Sequence, residues 1–201
     1  MAAILTNLNN TIIAGFVLTL GLLLLLAGWH GAGAGFDQAW WAFLFRWLHV
    51  LSGVMWIGIL WYFNFVQIPN MPNIPAEQRP AITGVIAPAA LFWFRWGAMS
   101  TIVTGLILAW LNGYLVDAIT IGLTSGLAKH AAIGIGMWLG TIMWFNVWFI
   151  IWPKQRIALG MVEADDAAKA AAGRTAMLFS RTNTMLSIPM LYAMVSAQNL
   201  F

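Results

Sequence analysis

Two histidines stand inside apolar runs of this chain. One is His49, in Arg46-Trp-Leu-His49-Val-Leu-Ser-Gly53-Val-Met-Trp56. The other is His130, in His130-Ala-Ala-Ile-Gly134-Ile-Gly-Met-Trp138. An ionisable side chain in such a run is costly in hydrocarbon and marks a functional candidate. Neutral imidazole ligates iron, and membrane-bound haem b is commonly held by histidines of facing helices. Each histidine has a glycine four residues on, Gly53 and Gly134, which stacks on the same helical face. A missing side chain there lets a flat macrocycle approach the backbone. Trp56 and Trp138, two turns on, are placed to pack its edge, and Arg46 to pair with a propionate. The chemistry expected is therefore haem b, with His49 and His130 as iron ligands.

Other uses of these residues stay open. An intramembrane histidine can simply hydrogen-bond to a neighbouring helix, and glycine at this spacing also serves close helix packing. A chain without any cofactor is then the outcome. Copper held by histidine and some of the 11 methionines is a further option. His30, in a Gly-rich stretch, reads as a loop residue. Arg95 and Arg181 read as topology anchors, and as a pair they offer a site for lipid phosphate, a quinone or an anionic substrate. Asn64 and Asn146 are expected to hydrogen-bond between helices.

The elements that position these groups are apolar helices. Of 201 residues, 62% are hydrophobic and 7% charged, against roughly 25% charged in a soluble domain. This composition describes an all-α, multi-pass membrane protein, a single membrane domain over 1–201 in contact with the lipid bilayer. The net charge of +3 reports membrane topology and no nucleic-acid partner. The absence of cysteine excludes disulfides, thiolate metal sites and covalently attached haem. Five spans of about 20 residues are predicted near 11–29, 40–67, 86–111, 129–152 and 177–196. A loop rich in proline follows the second span. A polar segment, 153–176, contains a short surface helix near 164–172. Residues 113–127 are expected at the interface or as an extension of the next helix.

Four of the nine Lys and Arg residues fall in 153–176. The excess of basic residues in cytoplasmic loops then puts that segment and the N-terminus in the cytoplasm. Both histidine runs go on through Trp, aromatic and Asn (Asn64, Asn146) to a proline, Pro69 and Pro153. That order predicts an internal repeat of helix pairs, spans 2–3 and 4–5, with pseudo-twofold symmetry. Counted from the two prolines, His49 and His130 come to comparable depths.

Three stretches resemble a known family. They are Arg46-Trp-Leu-His49-Val-Leu-Ser-Gly-Val-Met-Trp56-Ile-Gly58, Gly140-Thr-Ile-Met-Trp-Phe-Asn146-Val-Trp-Phe-Ile-Ile-Trp-Pro153-Lys-Gln and Ser180-Arg-Thr-Asn-Thr-Met-Leu-Ser-Ile-Pro189-Met. They are similar to the N-terminal membrane domain of the membrane-bound urate hydroxylase (urate oxidase) family. The Ser-Arg-Thr-Asn-Thr…Ser-Ile-Pro block is the most specific of them. The resemblance implies a bacterial inner-membrane protein linked to electron transfer, with His49 and His130 at the matching histidines. Full-length members carry a C-terminal cytochrome c, whereas this sequence has no Cys-x-x-Cys-His and is expected to be a short form. A more distant similarity is to small His-bearing membrane proteins of the copper-resistance D and protoporphyrinogen-oxidase type.

Three functions follow as expectations. The first is a haem-b electron-transfer protein working with a separate c-type cytochrome. The second is a cofactor-free accessory subunit of a larger respiratory or energy-converting complex. The third is a urate-oxidising module.

Overall fold

The computed structural model describes residues 2–30 and 36–201, with the side chains of 2, 3 and 27–30 left aside. The expected Gly-rich connector at 31–35 and the side chain of His30 lie outside the described residues. Among the described residues all regular structure is helical. The chain divides into two compact units, Met1–Trp41 and Ala42–Phe201.

The first unit holds α1 (Ala2–Leu5) and α2 (Leu8–His30). Asn7 starts α2 by accepting hydrogen bonds through Oδ1 from the Asn9 and Asn10 amides, which are donors that a helix start leaves unpaired. The leucines of α2 face outward, Leu18 and Leu24 among them.

The second unit is built from three long helices and one short one. They are α3 (Gln38–Asn73), α4 (Arg79–Leu111), α5 (Leu115–Ile119) and α6 (Ala128–Ala158), followed by the 34-residue α7 (Asp166–Asn199). Four helices, Leu8–Leu26, α3, α4 and α6, are long and apolar enough to cross a membrane. α7 falls outside that set because Ser180, Arg181, Thr182, Asn183 and Thr184 interrupt its apolar run.

The helices run further than the expected spans. Proline removes a backbone donor and crowds the carbonyl four residues back. The chain absorbs this by widening instead of ending. Tyr62–Gln67, Ile82–Ile86 and Asn146–Ile151 are π-helical turns, and Pro69, Pro88 and Pro153 follow them directly. Wider turns of this kind re-satisfy the backbone that proline frees. Both histidine-bearing helices therefore share an Asn at a π-turn with a proline after it. The expected surface helix at 164–172 is not separate. Asp165 accepts from the Ala168 amide at 2.7 Å and caps a helix that continues unbroken to Asn199.

The core of this unit gathers Trp56, Leu60 and Phe63 of α3, Leu91, Phe94 and Ala98 of α4, Met143 and Val147 of α6, and Ala176 and Met190 of α7. α7 turns a stripe inward that repeats at three- and four-residue spacing: Ala176, Ser180, Asn183, Ser187, Met190. Small residues in such a stripe let helix backbones approach closely. Gly97 does the same for α3 and α4, since a Cβ there would stand 3.3 Å from the Trp56 amide nitrogen.

Candidate functional site

His49 lies against α4. Its Nδ1 is 2.9 Å from the Thr101 carbonyl oxygen and 3.4 Å from Thr104 Oγ1. A carbonyl only accepts, so Nδ1 carries the hydrogen and Nε2 presents the lone pair. Gly105 makes this placement possible, because a Cβ on it would stand 2.8 Å from His49 Cε1. Sequence reasoning missed Thr101, Thr104 and Gly105. Their signal is a glycine flanked by hydroxyl residues within an apolar helix.

His130 is held by the segment between α4 and α6. Its Nδ1 is 2.8 Å from Ser125 Oγ and 3.2 Å from Asp117 Oδ2. A carboxylate also only accepts, so His130 donates through Nδ1, and its neutral form carries the lone pair on Nε2. Imidazoles that bind metals are oriented by oxygen partners of this kind. Thr124 Oγ1 donates to the other oxygen of Asp117. The Tyr114 ring lies 5.9 Å from the His130 ring. Burial pushes the Tyr114 phenol up from its ordinary value, partly offset by the positive charge of Arg46. Arg46 itself is exposed.

The two histidines do not stand at one depth. Two contacts mark the levels of the bundle. Arg95 lies over the Trp152 ring at 3.3 Å, and Tyr114 lies beside His130. Arg95 stands 16 residues before the end of α4 at Leu111, with Tyr114 in the turn just beyond, and the levels are 22 residues apart on α6 (130 to 152), about the ~20 residues that span hydrocarbon. His130 belongs to one edge. His49 is level with Thr101–Gly105, 6 to 10 residues before the end of α4 at Leu111, roughly 9–15 Å at ~1.5 Å per residue. The offset comes from the partners and not from the helix ends: His49 packs on turns within α4, whereas His130 is held by Tyr114, Asp117 and Ser125, which lie beyond the end of α4.

The other expected residues are distributed as follows. Gly53 has open space beside it, with nothing within 4 Å of an added Cβ. Gly134 is filled by the chain itself, since a Cβ would run into the Ala118 carbonyl oxygen. Trp56 is buried in the core, while Trp138 donates through Nε1 to the Ile119 carbonyl at 3.0 Å. Among the described residues no three His, Cys, Asp or Glu side chains cluster.

Toward the Arg95 end a polar seam joins α7 to α3 and α6. Asn64 Nδ2 donates to Ser180 Oγ at 2.8 Å, and Trp61 Nε1 to Ser187 Oγ at 3.0 Å. Asn146 Nδ2 donates to Asn183 Oδ1 at 2.8 Å, and Asn183 Nδ2 to the Met143 carbonyl at 2.9 Å. Both asparagines thus bridge helices as expected. Arg95 is held on Trp152, with Trp148 beyond at 5.8 Å, while Arg181 is exposed.

The seam puts Ser180, Asn183 and Ser187, the distinctive polar residues of α7, in one buried line. Residues 107–200 match the family model described as urate oxidase N-terminal. The urate oxidase N-terminal match takes in the end of α4, α5, α6 and α7. It contains His130, Gly134, Trp138, Asn146, Asn183 and Ser187, and it stops short of His49. Over that stretch, just under half of the chain, the sequence is similar to the urate oxidase N-terminal family. No curated protein and no solved structure matches the chain.

Proposed function

We propose that the chain is a haem-b-binding membrane protein of electron transfer, related to the membrane part of urate hydroxylase and working with a separate c-type cytochrome. The observation that carries this is the His49 hydrogen bond to the Thr101 carbonyl. It leaves a neutral imidazole with Nε2 free for a metal, half-buried against an apolar helix. The donor chemistry therefore fits axial ligation at His49. It fits at His130 as well, but the offset in depth does not put both imidazoles on one iron. Bound haem would supply a one-electron couple. The chain's own part is to fix the His49 tautomer, to exclude water around it, and to present the Tyr114, Asp117 and His130 rim to an aqueous partner. A fifth span formed by α7, the pseudo-twofold pairing of α3–α4 with α6–α7, and a bacterial inner membrane with the N-terminus in the cytoplasm complete this proposal. Their support is the shared Asn, π-turn and proline order and the basic residues of 153–176.

A second function is favoured by one observation, the packing of Ala118 into the notch at Gly134. On that basis the glycine serves helix packing, and the chain is a cofactor-free accessory subunit whose exposed apolar faces dock in a larger membrane complex.

Haem and iron content of the detergent-purified protein separates the two. The haem proposal expects near-stoichiometric haem b released by pyridine. Protein that is folded, iron-free and unable to take up added haem belongs to the accessory subunit.

A further inference from the structure

A cavity of about 130 Å³ lies among α3, α4, α6 and α7, on the far side of Arg95 from the histidines. Its walls include Phe63, Gln67, Thr83, Leu91, Phe94 and Ser180. None of the residues that line it is charged, so it suits an uncharged occupant. Its size is close to that of a cavity of ~150 Å³ that takes up one benzene ring. One amide oxygen of the wall, Gln67 Oε1, is buried without a hydrogen-bond partner among the described residues, as is Asn64 Oδ1, one turn away on α3 and outside the wall. Asn64 is 9% exposed and fastens Ser180, another wall residue, through its Nδ2. A buried acceptor left unpaired is costly, and an amide oxygen can be satisfied only by a donor. Mostly apolar walls with a few placed polar atoms are the usual form of a small-molecule site.

We propose that this cavity binds a single neutral ring bearing hydroxyl or N–H donors, of the hydroquinone class, with Gln67 Oε1 as the accepting atom. The site is independent of haem at His49. It lies at the Arg95 edge of the apolar layer, where the ring can arrive from the bilayer on a lipid tail or from water.

Saturation-transfer NMR on the detergent-solubilised full chain tests this with hydroquinone and p-xylene, which share an outline and differ in their donors. Gln67→Leu is the variant, because it keeps the bulk, removes the unpaired oxygen and leaves the fold intact by circular dichroism. Saturable hydroquinone binding that weakens about five- to tenfold in Gln67→Leu, the worth of one neutral hydrogen bond, with p-xylene unaffected, is the expected result. A hydroquinone with a ten-carbon tail then assigns the source: tighter binding indicates a bilayer-borne quinol, and unchanged binding a water-borne ring. Hydroquinone binding that ignores Gln67→Leu, or no saturable binding at all, overturns the proposal and leaves the two oxygens to water.

Discussion

Asn183, fully buried in α7, accepts a hydrogen bond from Asn146 at 2.8 Å and returns one to the Met143 carbonyl at 2.9 Å. It is the polar link between α7 and α6. Asn183→Leu strands the buried Asn146 amide and takes from the Met143 carbonyl one of its two donors, the Asn146 backbone N–H remaining, at a cost expected near 2 kcal/mol. Adding Asn146→Leu removes the stranded group. The double variant should therefore be more stable than the sum of the two single losses, with a coupling of about 1 kcal/mol. Unfolding in a mild-to-denaturing detergent titration reads this directly, and strictly additive losses would show that the link contributes nothing.

Gly53 and Gly134 occupy corresponding places in the repeated sequence, yet their surroundings differ. Gly134→Ala drives a methyl into the Ala118 carbonyl and should destabilise by roughly 1–3 kcal/mol. Gly53→Ala meets nothing within 4 Å and should leave thermal stability unchanged. Melting curves of the two variants check the contrast. A Gly134→Ala protein as stable as the parent would contradict the close approach of α5.

The glycine that matters most to His49 is on another helix. Gly105→Ala puts a methyl 2.8 Å from His49 Cε1, so the ring must shift and its bond to Thr101 must weaken. The expected outcome is a folded protein whose haem spectrum and midpoint potential are altered. A spectrum identical to the parent's would remove Gly105 from the site.

Much of this was legible in the chain. Apolar runs of 20 residues and more announced the long helices, and Asn64 and Asn146 inside them announced bridges between helices. The Ser-Arg-Thr-Asn-Thr…Ser block stood out because a buried polar line constrains residue type. The depth of the histidines was not legible, because it is set by which turns of neighbouring elements they pack on, Thr101–Gly105 for His49 and the segment beyond α4 for His130. Partners on other helices, Thr101 and Gly105 for His49 or Tyr114 and Asp117 for His130, depend on helix register, which periodicity alone does not set. Gly134 illustrates the same limit. Its spacing from His130 suits a macrocycle, but the residue that fills the notch comes from α5.

The most direct measurement is a reduced-minus-oxidised visible spectrum of the purified protein beside His49→Ala and His130→Ala. A b-type α-band that is present in the parent, absent in His49→Ala and retained in His130→Ala is the result expected here. Loss in both variants would return the two imidazoles to one iron and require α3 and α6 to sit in a different register. A band that survives His49→Ala, or a parent protein without haem, would contradict the central claim and leave His49 as a hydrogen-bonded packing residue.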